Sequence, residues 1–231
     1  MKRILLIISC VVLFALQCNA QNGKNVYGLK VGPTLNWASP ASSEAEGNGA
    51  RLGFGVGVVY DRCLTDHLAV SSGLGYYLLG QSYRFTDNRI VPGFLESANV
   101  GEVDRKSRGS YLEVPLKIKV RHEVAESLKA FVEGGAALSL NLSDKAKDEF
   151  DFFGWSYSDA AYVAVTGEYR LLQAALKFGA GVEYEINSRI SLFAQLTYHL
   201  ALSNMFTKDL YKLTGSDLRT NFIGIEVGIM H

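Results

Sequence analysis

The sequence predicts an all-β fold, an eight-stranded antiparallel up-and-down transmembrane β-barrel with short periplasmic turns and long extracellular loops. Three observations in the 231 residues predict it. From Asn25 onward apolar residues recur at period two, the strand period, and not at 3.6. The alternating stretches number eight, an even count as in outer-membrane barrels. Short and long connections alternate, which in an up-and-down barrel puts every tight turn at one end and every long loop at the other.

A leader precedes the strands. Met1-Lys2-Arg3 is a basic start, Ile4 to Leu16 is an apolar core, and Cys18-Asn19-Ala20 before Gln21 offers the small residues a signal peptidase reads. Residues 1–20 are therefore expected to be a cleaved signal peptide and 21–231 a single barrel domain. A lipoprotein leader acylated at Cys18 fits less well, because Leu16-Gln17 stand where small residues are required. Cleavage leaves Cys63 as the only cysteine, so no internal disulfide can form.

The first strand sets Tyr27, Leu29, Val31, Leu35 and Trp37 against Gly28, Lys30, Gly32, Thr34 and Asn36. In the second, Leu52, Phe54, Val56, Val58 and Tyr60 oppose Arg51, Gly53, Gly55 and Gly57. A third covers about Leu68 to Phe85, with Leu74, Tyr76 and Leu78 opposite Gly73, Gly75 and Gln81. The fourth alternates most cleanly, Leu112, Val114, Leu116, Ile118 and Val120 against Glu113, Pro115, Lys117, Lys119 and Arg121. In the fifth, Val132, Ala136, Leu138 and Leu140 oppose Lys129, Glu133, Gly135, Ser139 and Asn141, and Gly134-Gly135 argues against a helix. The sixth sets Leu172, Leu176, Phe178, Val182 and Tyr184 against Gln173, Lys177, Gly179, Gly181, Glu183 and Glu185. Leu192, Leu196, Tyr198 and Leu200 face away from Ser191, Gln195, Thr197 and His199 in the seventh, and Ile223, Ile225, Val227 and Ile229 from Gly224, Glu226 and Gly228 in the eighth.

Connections around residues 61–66, 122–127 and 186–189 are short. Those around 38–50, 86–109, 143–168 and 206–218 are long and are expected to be loops. No apolar run past the leader reaches the ~20 residues of a membrane helix.

Alternation also fits a soluble secreted barrel turned the other way, its apolar row lining a cavity for a small apolar ligand. The apolar rows favour the membrane reading. They carry no charge, as a lipid-facing band requires when a mid-membrane Lys or Arg costs ~2–4 kcal/mol. Most of the strand glycines fall in the polar row, where they make room for charged neighbours inside a narrow barrel. Tyr27, Trp37, Tyr60 and Tyr184 sit near strand ends, where an interfacial girdle belongs.

Equal numbers of basic and acidic residues, 23 and 23, exclude a basic face for nucleic acid. Many of those charges fall on the inward rows: Lys30, Arg51, Lys117, Lys119, Arg121, Lys129 and Lys177 with Glu113, Glu133, Glu183, Glu185 and Glu226. A barrel of this size is filled by side chains, so these charges must pair. Lys30, Glu113, Lys117, Lys119, Glu133, Lys177, Glu183 and Glu226 are expected to form a structural charge network in the lumen.

Nothing points to an enzyme or a cofactor. His199 has no carboxylate placed beside it by sequence and reads as a lumen residue; His67 and His122 lie at the other end, so no metal cluster forms. In the acidic, aromatic stretch Asp144 to Asp159, Phe152, Phe153, Trp155 and Tyr157 are either a contact surface or a loop packed over the barrel mouth.

Three segments are similar to the PorT family of outer-membrane β-barrel proteins: Tyr27-Gly28-Leu29-Lys30-Val31-Gly32, Tyr111-Leu112-Glu113-Val114-Pro115-Leu116-Lys117 and Phe178-Gly179-Ala180-Gly181-Val182-Glu183-Tyr184. The resemblance runs along the whole mature chain. It implies residence in the outer membrane of a Gram-negative bacterium, contact with outer-membrane lipid, and a non-enzymatic accessory, structural, surface-assembly or secretion-related role with other envelope or secretion proteins as partners. It supplies no catalytic residues to carry over.

Overall fold

Residues alternating at period two place their side chains on opposite faces of a sheet, and branched and aromatic side chains favour that pleat. The computed structural model describes residues 24–41, 45–90, 99–152, 155–159, 161–165, 167–207 and 217–231, with the side chains of 86–90, 99–101 and 150–157 left out of the description. The expected signal peptide lies outside the described residues. The strands are β1 (Asn25–Pro40), β2 (Ala45–Gly47), β3 (Arg51–Cys63), β4 (Leu68–Ile90), β5 (Asn99–Ala125), β6 (Leu128–Phe152), β7 (Trp155–Ser158), β8 (Val163–Ala164), β9 (Leu172–Glu185), β10 (Ser191–Ala201) and β11 (Leu218–Met230).

Eight of these form a closed ring of antiparallel ladders in the order β1, β3, β4, β5, β6, β9, β10, β11. The ring shuts where β1 pairs with β11 from Gly28 opposite Met230 to Pro40 opposite Leu218. Closure removes the unpaired edges that an open sheet would present. The short β2, β7 and β8 attach at the loop end, β2 to β4 and the other two to β6.

The outer face is apolar and bare. Leu52 is 80% exposed, Leu116 63%, and Leu172 and Ile225 58%. Along β9 the band runs from Leu172 to Tyr184; at ~3.3 Å per residue and a tilt of 35–45° that is roughly 30 Å. A water-facing sheet does not carry such a band, so the apolar row does not line a ligand cavity and the soluble alternative falls. Tyr27 and Tyr184, both more than half exposed, mark its turn-end rim, with Tyr60 packed on Tyr27 at a ring separation of 5.2 Å. Trp37 stacks on Tyr198 toward the other rim.

Two of the expected loops are in large part strand. β4 continues to Ile90, β5 begins at Asn99, β6 runs to Phe152, and β7 folds back on it with Phe152 opposite Trp155. Beyond the apolar band the barrel wall continues as a soluble sheet does, with polar residues outside and apolar ones inside. Arg84, Asp104 and Lys106 face out, while Tyr83, Phe85 and Val103 are buried with Ala38, Ala45, Tyr169, Met205, Phe206 and Leu218 in the largest apolar cluster among the described residues. Charges on the outward row hide the strand pattern from a search for apolar alternation.

A bulge marks the change. Ser110 pairs with Ser143 but Tyr111 with Asn141, so Leu142 is an extra residue on β6. The insertion reverses the phase of β6. Below it odd-numbered residues such as Ser139 and Asn141 point in; above it Ala146 is buried and Lys145 is exposed.

Candidate functional site

The inward rows of all eight ring strands meet in the lumen around Tyr77, a residue of β4 that is 2% exposed. Its ring occupies space that Gly55 and Gly75 leave free: a Cβ at either glycine would lie 2.6 Å from the ring. Tyr77 Oη accepts from Lys30 Nζ at 3.0 Å and Lys177 Nζ at 2.7 Å and donates to Glu226 Oε1 at 2.9 Å. Lys30 also reaches both Glu226 oxygens, at 2.8 and 3.0 Å. Lys177, fully buried, bonds Glu113 Oε1 at 2.7 Å. Gln195 and Ser139 complete the carboxylates, donating to Glu226 and Glu113 at 2.6 and 3.3 Å.

Below this layer Lys117 pairs with Glu133, whose side chain lies against Gly179. Nearer the turns, Lys119 bridges Asp61 at 2.8 Å and Glu183 at 2.9 Å, and Arg121 donates to both of those carboxylates. The Lys119 ammonium also lies 4.3 Å from the centre of the Phe131 ring, a cation–π contact. At the rim Lys129 pairs with Glu185.

All eight residues expected to form the lumen charge network have buried side chains inside the ring. Two participants escape a reading of the sequence. Asp61 falls in an expected turn, yet it is fully buried and holds two cations; extending the Gly55, Gly57, Val59 row by one more step finds it. Tyr77 lies on the Gly75 row but is aromatic, and alternation alone gives aromatics to the outer face.

Arg51 departs from expectation in the other direction. It makes no ion pair among the described residues and lines an outward groove instead. With Arg51, the rim pair Lys129–Glu185 and the loop-end Arg105 set aside, the buried lumen ions among the described residues are Lys30, Lys117, Lys119, Arg121 and Lys177 against Asp61, Glu113, Glu133, Glu183 and Glu226, a full charge balance. That balance follows from the cost of an unpaired ion in a low-dielectric interior. The space left among Lys30, Lys117, Lys119, Glu133 and Gln195 is about 10 Å³, roughly room for one water.

His199 does have a carboxylate. Its Nε2 lies 3.3 Å from Glu113 Oε2, and its ring stacks on Phe222 at 4.5 Å. The side chain is buried within the network. Among the described residues no group of three or more His, Cys, Asp or Glu is placed to hold a metal.

At the loop end the charges belong to a separate cluster. Arg105, 2% exposed, forks onto Asp148 with two bonds of 2.6 Å, also reaches Glu168, and covers the Phe85 ring at 5.0 Å. Tyr83 and Tyr169 share a short hydroxyl contact beside it. Asp144, just above the bulge, accepts from Asn141 and from Tyr111 Oη; burial nonetheless pushes its carboxyl up to about 6. Of the aromatic residues expected as a contact surface, Phe152, Trp155 and Tyr157 lie on the β6–β7 hairpin by backbone pairing. Their side chains, and Phe153 altogether, lie outside the described residues.

The model of the outer membrane protein beta-barrel domain matches residues 19–207. None of the curated proteins matches the sequence. Similar solved structures include Neisserial surface protein A (13% identity, 88% of this chain and 95% of that one, TM-score 0.44). They also include Ail, the attachment invasion locus protein of Yersinia pestis (15%, 90% and 99%, 0.41), and the outer membrane protein OprG from Pseudomonas aeruginosa (10%, 90% and 97%, 0.47).

Proposed function

We propose a role for this chain from one premise: it belongs to the outer membrane protein beta-barrel domain family and resides in the outer membrane of a Gram-negative bacterium, in contact with its lipid. Within that family we assign it to the PorT-like barrels and give it a non-enzymatic, structural or accessory role in surface assembly or secretion. Residues 1–20 act as the signal peptide that sends it to the envelope, and 21–231 form the mature barrel.

The observation that carries this reading is the filled lumen. Five buried cations paired with five buried anions, in layers from Tyr77 down to the turn end, replace the apolar core of a soluble barrel, and they close the path that a channel would need. Such a network supports the wall; it leaves the outer surfaces as the places where function is exercised. The loop-end extension, with the β6–β7 hairpin carrying Phe152, Trp155 and Tyr157 and the adjoining Phe153, is the part built to meet another envelope or secretion protein.

Deleting the gene and comparing surface-exposed and secreted proteins with wild type tests the role, and complementation with a chain lacking residues 151–158 tests the surface. Specific surface proteins are expected to disappear on deletion and to stay absent with the shortened chain. An unchanged surface proteome in the deletion strain, or ion currents from purified wild type in planar bilayers, refutes the reading.

A further inference from the structure

Outside the lumen, the cations at the upper edge of the apolar band divide into two sets. Arg84 pairs with Asp104 at 2.9 Å, and Lys106 with Glu149 at 3.1 Å. Arg51, Arg108 and Lys145 have no carboxylate partner among the described residues, and these three line one outward groove of about 750 Å³.

The backbone brings the three cations together. Arg108 on β5 is directly opposite Lys145 on β6 and, on its other side, opposite Gly80 on β4. The β3–β4 ladder ends at Phe54 opposite Leu78, which frees Arg51 to lie over Gly80, its Cβ 3.2 Å from where a Gly80 Cβ would stand. With strands ~4.8 Å apart, the three side chains span about 14 Å across four strands. The Tyr162 ring stacks on the Arg108 guanidinium at 4.4 Å and fixes its direction. Like charges directly opposite one another on a sheet are destabilising unless an anion lies between them. The same groove continues downward over Leu52, Phe54, Tyr76 and Leu78 of the lipid-facing wall.

We propose that this groove binds a lipid of the outer leaflet with a phosphorylated headgroup, its phosphates bridging Arg51, Arg108 and Lys145 and its acyl chains lying on Leu52, Phe54, Tyr76 and Leu78. Arginine forks onto phosphate oxygens in bidentate geometry and lysine adds a point charge. The width of the row suits a headgroup with two phosphates better than one. The groove takes part in neither the lumen network nor the β6–β7 hairpin.

Native mass spectrometry of the full folded barrel in detergent, offered an acylated diglucosamine bisphosphate lipid, tests the site. Wild type is expected to retain one lipid and to lose it when the phosphates are removed from the same lipid. The double variant Arg108→Gln with Lys145→Gln is expected to retain it roughly tenfold less, the scale of removing one or two charge-assisted hydrogen bonds, while Lys106→Gln retains it as wild type does. Heat-dependent gel migration checks that each variant is folded. Equal retention of the dephosphorylated lipid, equal loss in Lys106→Gln, undiminished retention by the double variant, or complete competition by millimolar inorganic phosphate would each overturn the assignment. The first comparison needs no variant.

Discussion

Replacing Glu113 with Gln isolates the central ion pair of the lumen. Glu113 is 2% exposed and Lys177 is fully buried; they meet at 2.7 Å, and the next carboxylate from Lys177, Glu226, lies at 4.0 Å and is already engaged by Lys30. The substitution keeps the volume and removes the charge, leaving the Lys177 ammonium with Tyr77 and a distant, shared carboxylate. Breaking a buried pair in this way costs about 3–5 kcal/mol. The residual attraction of Glu226 and the bond to Tyr77 place the expected loss near the lower end, about 3 kcal/mol, which is roughly a hundredfold in the unfolding constant. His199 also loses its carboxylate partner at 3.3 Å. The measurement is reversible denaturant unfolding of the barrel in lipid vesicles, followed by tryptophan fluorescence and gel migration. The double variant Glu113→Gln with Lys177→Met removes both charges and is expected to recover a large part of the loss. A single-variant effect below about 1 kcal/mol, or strictly additive single and double effects, would refute the view that the lumen is held by charge pairing. Bilayer conductance is expected to stay at baseline in all three proteins.

Leu116→Arg on the outer wall is expected to destabilise the bilayer-inserted barrel by about 2–4 kcal/mol, although Leu116 is 63% exposed in the isolated chain; vesicle unfolding measures it, and a neutral result would deny that this face meets lipid. Gly55→Ala places a Cβ 2.6 Å from the Tyr77 ring and is expected to cost about 1–3 kcal/mol by overpacking, read by the same unfolding assay. Arg105→Lys keeps the charge but loses the fork onto Asp148; limited proteolysis is expected to open the loop-end extension while the membrane-embedded strands stay protected. Asp144 has a folded-state pKa raised to about 6 from 3.8, so the native state binds more protons than the unfolded one between those values and its contribution falls as pH rises through them. The stability of Asp144→Asn relative to wild type is therefore expected to increase from pH 4 to pH 6, and a pH-independent difference would refute the assignment.

Much of the architecture is legible because lipid imposes a rule on every residue of the wall. A strand crossing the hydrocarbon needs an uncharged outer row, and Leu112, Val114, Leu116, Ile118 and Val120 state that rule without reference to any other strand. The inward partners Glu113, Lys117 and Lys119 are legible for the same reason, since period two leaves them no other side. Asp61 escapes because a carboxylate next to a turn reads as solvent-exposed, and Tyr77 because an aromatic on the polar row contradicts the simple pattern. Both are explained only by neighbours far along the chain, Asp61 by Lys119 and Arg121 and Tyr77 by Lys30, Lys177 and Glu226.

The loop-end strands are hidden by a change of solvent. Past Leu142 the surroundings are water, so the rows exchange character and Arg84, Asp104 and Lys106 occupy positions that carry apolar residues lower down. The extra residue at Leu142 also shifts β6 by one, which no local pattern reveals because a bulge is defined by its partner strand.

By itself, then, the sequence determined the eight strands of the ring, the lipid-facing row and most of the charges sent inward, Arg51 and Asp61 excepted, because each follows from which solvent a single side chain meets. Tertiary structure decided which cation holds which carboxylate, that the lumen ions balance, that His199 is a network member, and that Arg51, Arg108 and Lys145 stand in one row outside. Those are properties of ring closure and register, which bring together residues as distant as Lys30 and Glu226 and which period-two alternation leaves undetermined.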